Sequence, residues 1–236
     1  MARPAAALAA VLWDMDGTLV DTEAYWIERE FEIVAEHGNG AWSQAHGHAL
    51  VGRDLRDSAR YMAQHGGLSL PIDDIVHLLL DGVIERVRRR VPWRPGAREL
   101  LADLGAAGIP CALVTMSWRR FTDALLPALP AGSFATVVAG DDVSHGKPHP
   151  EAYLTAAARL GVAPQQCLAI EDSPTGARSA HAAGCVTLTV PQLVPIPAGI
   201  GHHQLATLQG LRAEDLRQIH LNALAAEALA PRVADR

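Results

Sequence analysis

Five short apolar runs, at 10–13, 110–114, 135–139, 167–170 and 186–190, constrain this chain more than any other feature. Each has the length of one strand, and most carry β-branched residues. Helical patterns of ten or so residues separate the later runs, at 97–107, 121–129, 151–160 and 175–183. Gly108, Gly161 and Gly184 stand where helix C-caps belong. Strands alternating with helices of this length build βαβ units, so the fold class is α/β, a doubly wound parallel sheet covered on both faces.

Residues 21–92 break the alternation. They hold no clear strand. Ile27, Phe31, Val34 and Ala35 form one helical stripe, and Ile75, Leu78, Leu79, Val83 and Val87 form another. This predicts an inserted α-helical domain at 21–92, leaving 1–20 and 93–236 for the α/β core. With 236 residues, one core plus a smaller insertion is the natural division. After Pro191 a Pro- and Gly-rich stretch leads to a short last strand at 204–208 and a helix from about 213. Arg3 and the alanines after it faintly resemble a signal peptide. We read 8–13 instead as a buried first strand that the rest of the sheet requires.

Composition excludes several classes. Apolar residues make up 49% and charged residues 19%, which is globular rather than disordered. The net charge of −6 disfavours nucleic acid or an anionic membrane as partner. No apolar run reaches the roughly 18 residues of a spanning helix. Three widely spaced cysteines, Cys111, Cys167 and Cys185, form neither a disulfide framework nor a zinc pattern, which suits a reducing, cytoplasmic setting. Aromatic residues are scarce, so no interface patch stands out and a monomer is expected.

The chemistry gathers where the strands end. The first runs into Asp14 and Asp16, the second into Thr115, Met116 and Ser117, and the fourth into Glu171 and Asp172. Past the third lies Lys147, the one lysine beside 19 arginines. Ligands of open α/β sheets bind outside the carboxyl ends of the strands. Clustered carboxylates call for a cation, and hard oxygens beside phosphate suit Mg²⁺. A carboxylate can attack phosphorus, a second can move the proton, and hydroxyls with a lysine can hold the phosphate. Singly, each feature also has a structural reading: Asp-Gly as a turn, and Glu171-Asp172-Ser173-Pro174 as a helix N-cap.

Together, WDMDGTLVDTE, LVTMS, GDDVSHGKPHPEAY and IEDSPTGARSAHAAG resemble the four motifs of the haloacid-dehalogenase-like (HAD) hydrolase superfamily, in order and approximate spacing. The resemblance spans about residues 9–191. The insertion looks like that superfamily's small helical cap, and the nearest likeness is to β-phosphoglucomutase-like phosphatases. The resemblance implies a Rossmann-like core and Mg²⁺-dependent phosphoryl transfer from a small phosphorylated metabolite. Asp14 would be the nucleophile that becomes aspartyl-phosphate, and a metal ligand. Asp16 would be the general acid/base, its backbone carbonyl on the metal. Thr115 would hold the phosphoryl group and Lys147 would bridge it to the nucleophile. Asp172 would bind the metal directly, with Glu171 a ligand or just behind one.

Departures from the mutase favour a plain phosphatase. Trp26 replaces its hinge histidine, and Leu55, in Gly52-Arg53-Asp54-Leu55, replaces the arginine for its second phosphate. Arg53, Ser117 and Arg119 are candidates to take over that contact, and Met116 and Trp26 are candidates for the pocket wall. The rivals are a phosphosugar mutase and a catalytically silent binding protein on the same scaffold. Tyr25 and Trp118 either line the pocket or join the insertion to the core. His46, His48, His202 and His203 read as solvated loop histidines, and Arg88-Arg89-Arg90 as a helix end.

Overall fold

The computed structural model describes residues 7–229, so Arg3 and its neighbours up to residue 6 lie outside the described residues. Six strands form one parallel sheet: β1 (Ala10–Trp13), β2 (Cys111–Val114), β3 (Thr136–Val138), β4 (Cys167–Glu171), β5 (Val186–Thr189) and β6 (His203–Gln204), in the order β3-β2-β1-β4-β5-β6. β1 is central and wholly buried, with Val11 beside Cys111 on one flank and Leu168 on the other.

Alternation along β1 divides the core. Ala10 and Leu12 face α7 (Glu151–Leu160) and α8 (Pro174–Ala182), where Ala152, Ala156, Ala157 and Ala180 let the helices lie close to the sheet. Val11 and Trp13 face the other layer, where α5 (Ala97–Ala106) and α9 (Ala213–Leu229) contribute Leu100, Leu104 and Leu216. Such two-sided burial explains why these strands read as continuous apolar runs.

Between β1 and α5 the chain forms four helices, α1 (Glu23–His37), α2 (Gln44–Leu50), α3 (Leu55–Gly66) and α4 (Ile72–Arg89). It leaves and re-enters the core side by side: Val20 bridges Trp93, Asp21 N–H donates to the Pro92 carbonyl, and Arg94 N–H to that of Leu19.

The α1 stripe differs from the expected one. Ile27 and Val34 are buried, but Phe31 is only partly so and Ala35 is exposed, because the face centres instead on Trp26, Glu30 and Ile33. Helix α6 (Arg119–Leu125) starts and stops earlier than expected, since Pro127 turns the chain into a 3₁₀ helix at Leu126–Ala128. The last strand is shorter and begins one residue earlier than read.

Candidate active site

Two aspartates leave the end of β1 in opposite environments. Asp14 is buried, its N–H tied to the Ile170 carbonyl of β4. Lys147 donates to Asp14 Oδ1 at 2.7 Å, to Glu171 Oε1 at 2.7 Å and to the Val114 carbonyl at 3.0 Å. All three ammonium hydrogens are therefore engaged. The Tyr153 hydroxyl also donates to Glu171 Oε1, at 2.5 Å. Asp14 Oδ2, buried, has no hydrogen-bond partner.

Asp16 belongs to a different network. Its Oδ1 accepts from Thr22 Oγ1 at 2.5 Å and from Trp26 Nε1 at 2.9 Å. Its Oδ2 accepts from Ser117 Oγ at 2.8 Å and Thr115 Oγ1 at 3.4 Å. Four donors, two from the insertion and two from the core, hold this one carboxylate. Gly17, next to Asp16, sits at φ 87°, where a Cβ would overlap the Asp172 carboxylate.

Electrostatics separates the groups further. Burial raises Asp14 to about 7, helped by Glu171 and opposed by Lys147. Burial likewise raises Asp172 well above the usual carboxylate range, with Asp14 and Glu171 adding to it. Burial pulls Lys147 down, yet the two carboxylates it touches outweigh that, so it stays an ammonium.

Carboxylate oxygens of Asp14, Glu171 and Asp172 lie within 4.8 Å of one another. A buried orphan oxygen and acids forced toward protonation are the signature of a missing positive charge, and all three donors are hard oxygens. The residues therefore fit a divalent cation. The carboxylate of Asp16 stands apart from this cluster, leaving its main-chain carbonyl as its one candidate donor to a metal.

Above the rim lies a pocket lined by Asp14, Asp16, Thr115, Met116, Ser117, Lys147 and Asp172 from the core, and by Trp26 and Arg53 from the insertion. Glu171 is fully buried behind this wall. Arg119 is not brought to the pocket. As the first residue of α6 it turns back to pair with Asp142 and to donate to the Val137 carbonyl. Trp26 gives its polar edge to Asp16. Arg53 is exposed at the mouth, its guanidinium 5.8 Å from the Tyr61 ring centroid. Tyr25 and Trp118 lie outside the pocket. Trp118 instead carries Arg56 over its ring at 4.8 Å.

The histidines do more than sit in solvated loops. His46 accepts from Ser43 N–H and stacks on Trp42, while His202 accepts from Thr187 N–H and meets Glu227 at 2.7 Å. Sequence reading missed Glu23, Glu30 and Ser58, all buried and all lining the pocket. The signal for the two glutamates was their spacing with Trp26, seven residues apart on one face of α1.

A family model of haloacid dehalogenase-like hydrolases matches residues 11–190. The chain belongs to this hydrolase family. It is 34% identical over 194 residues to Protein CbbY of Rhodobacter capsulatus, covering 78% of this chain and 86% of that one. It is 33% identical over 189 residues to Hexitol phosphatase A of Escherichia coli, covering 76% and 81%. Among solved structures, CbbY of Rhodobacter sphaeroides in complex with xylulose-1,5-bisphosphate superposes with a TM-score of 0.78 at 27% identity, covering 86% of this chain and 96% of that one. The chain is thus a hydrolase with a HAD-type core and, among the described residues, no helix long and apolar enough to cross a membrane.

Proposed function

We propose that the protein is a Mg²⁺-dependent phosphatase that hydrolyses a small phosphomonoester, a sugar phosphate or similar metabolite, through an aspartyl-phosphate on Asp14. The observation that carries this reading is the division of labour between the two aspartates. Asp14 meets an ammonium that aims it and favours its anionic form against the burial that raises it to about 7. Asp16, two residues on, is held by donors of neutral type, suited to exchanging a proton with the leaving oxygen.

An oxygen of Asp14 attacks phosphorus as the ester oxygen departs and takes a proton from Asp16. Water then attacks the aspartyl-phosphate, Asp16 accepts its proton, and inorganic phosphate leaves with Asp14 restored. Thr115 would hold the phosphoryl group, and Lys147, hydrogen-bonded to Asp14, would set its positive charge beside it. Asp14, Asp172 and the Asp16 carbonyl would hold the metal, with Glu171 fixing Lys147 behind them. When bound, Mg²⁺ spreads the negative charge of the transferring group. Residues 21–92 act as a cap over the 1–20 and 93–236 core, excluding bulk water from the first step. Three buried, free thiols suit a cytoplasmic setting.

Names of relatives support the phosphatase reading, since both hexitol phosphatases A and B of Escherichia coli are among them. The mutase is less supported: Leu55 is buried in the cap, Trp26 serves Asp16, and Arg119 is paired elsewhere. The deciding experiment is phosphate release from a panel of phosphorylated sugars, glycolate, glycerol and nucleotides, with and without Mg²⁺, beside Asp14→Asn. Mg²⁺-dependent release falling at least a thousandfold in a folded variant is the expected result. Near wild-type turnover by the variant would sink the nucleophile assignment, and isomerisation of sugar 1-phosphates without net release would favour the mutase.

A further inference from the structure

Apart from Arg53 at its mouth, the charged groups the cap presents to the pocket are acids. Glu23, Trp26 and Glu30 share one face of α1, and Glu30 lies about 10 Å further along the helix axis than Glu23. Both glutamates are buried and line the pocket. Glu30 has a single protein partner among the described residues, Trp42 Nε1 at 3.3 Å to Oε2, and no cation beside it. Its other oxygen is left for whatever enters. Gly47 of α2 keeps this carboxyl uncovered, since a Cβ there would lie 3.2 Å from Oε2 and 2.9 Å from Ile27 Cγ1. The buried hydroxyl of Ser58 and the apolar Leu50, Leu55 and Leu79 complete that end of the pocket.

Burying a carboxyl without a cation is costly, and burial raises Glu30 to about 7, so near neutral pH it both donates and accepts. Such a group matches an alcohol, which also does both. It is the wrong partner for a phosphate dianion. The cations that would be needed are absent from this wall: Lys147 is engaged at the rim, Arg119 is paired with Asp142, and Arg53 sits exposed over Tyr61.

We propose that Glu30 is a specificity-determining residue that hydrogen-bonds a hydroxyl at the far end of the substrate, so that the protein selects neutral, polyhydroxylated monophosphates and rejects a second phosphate. This rests on the phosphatase reading above. It assigns to the cap the discrimination a buried polar group makes when a substrate leaves it unpaired.

The test compares wild type, Glu30→Leu and Glu30→Gln on sorbitol 6-phosphate, acetyl phosphate, ethanolamine phosphate and fructose 1,6-bisphosphate, all with Mg²⁺. Acetyl phosphate carries no hydroxyl for Glu30 to read. The ratio of kcat/KM for sorbitol 6-phosphate over acetyl phosphate is expected to fall about tenfold or more in Glu30→Leu, mainly through KM, and to stay within about threefold in Glu30→Gln. Wild type is expected to prefer the hexitol phosphate to the amine and the bisphosphate. Equal losses on both reference substrates, no loss on either, or preference for the bisphosphate or the amine would overturn the proposal while leaving the phosphatase intact. Should Glu30→Leu fail to fold, Glu30→Ala is read on the same ratio with the same expected fall, and an unchanged ratio there would overturn the proposal. No turnover of any substrate by wild type would instead sink the phosphatase reading, and this proposal with it.

Discussion

Lys147 shows how one residue ties the site to the fold. Its ammonium is buried between Asp14 and Glu171, and no arginine fits there, because the two carboxylates and the Val114 carbonyl converge on a point rather than a plane. Lys147→Met would leave two buried carboxylates without their cation. We expect a stability loss of about 3–5 kcal/mol at pH 8, read from urea midpoints, and a smaller one at pH 5. The sign follows from Asp14, whose pKa is already raised in the folded state and rises further without the ammonium, so the penalty grows as pH climbs past about 7. An equal loss at both pH values would mean that Lys147 acts by packing alone. Asp14 and Glu171 were legible in sequence because they lie at strand ends, where side chains leave the sheet for its rim, and Lys147 because it is the one lysine, whereas Tyr153, on α7, carried no such signal. Glu23 and Glu30 were not, because a helical stripe is recognised by its apolar members and a polar residue inside it reads as exposed. Arg119 was misjudged for a local reason: it opens α6, so its side chain turns away from the path that Ser117 follows two residues earlier.

At the scale of elements, the first five strands were readable to within a residue at each end, since buried strands show as apolar runs bounded by glycine, proline and acids, while the exposed two-residue β6 was not. Helix limits were harder, and the cap helices hardest, because short helices depend on caps as much as on periodicity. Helix α3 is an example. Asp54, at its N-cap, accepts from the N–H groups of Arg56 at 2.8 Å and Asp57 at 3.3 Å. The first turn so fixed carries Leu55 and Ser58 into the pocket. Asp54→Ala should cost about 1 kcal/mol, or roughly 2–4 °C in Tm for a chain of this size. Because the loosened turn lines the pocket, KM should rise severalfold while kcat changes little. Asp54→Asn, which keeps the acceptor, should restore both. Unchanged KM alongside a lowered Tm would mean that the turn has no part in binding.

For the whole molecule, the decisive fact is that the acids of one pocket come from both parts of the chain: Asp14, Asp16 and Asp172 from the core, Glu23 and Glu30 from the cap. One buried ammonium faces them, so in the absence of a cation, protons must take up the difference. Asp14 is raised from 3.8 to about 7, and Asp172 and Glu23 are raised as well, each chiefly by burial. The folded chain then holds more protons than the unfolded one across that interval, and metal-free stability should fall as pH rises from about 4 through 7. A cation held by Asp14 and Asp172 would replace those protons, so its effect must grow in the same direction. At one hundred times its Kd, Mg²⁺ should add about 2.7 kcal/mol, roughly 5–10 °C in Tm, at pH 8 and much less at pH 5, reversed by EDTA. Asp172→Asn should reduce the pH 8 shift below about 2 °C. A full shift surviving in that variant would place the ion elsewhere, with the group of exposed His145 and His149 and half-buried Glu151 the one to test next. In the proposed mechanism this dependence would link catalysis to folding, since the charge imbalance that weakens the metal-free protein at neutral pH is the one that would draw a cation to the phosphate site.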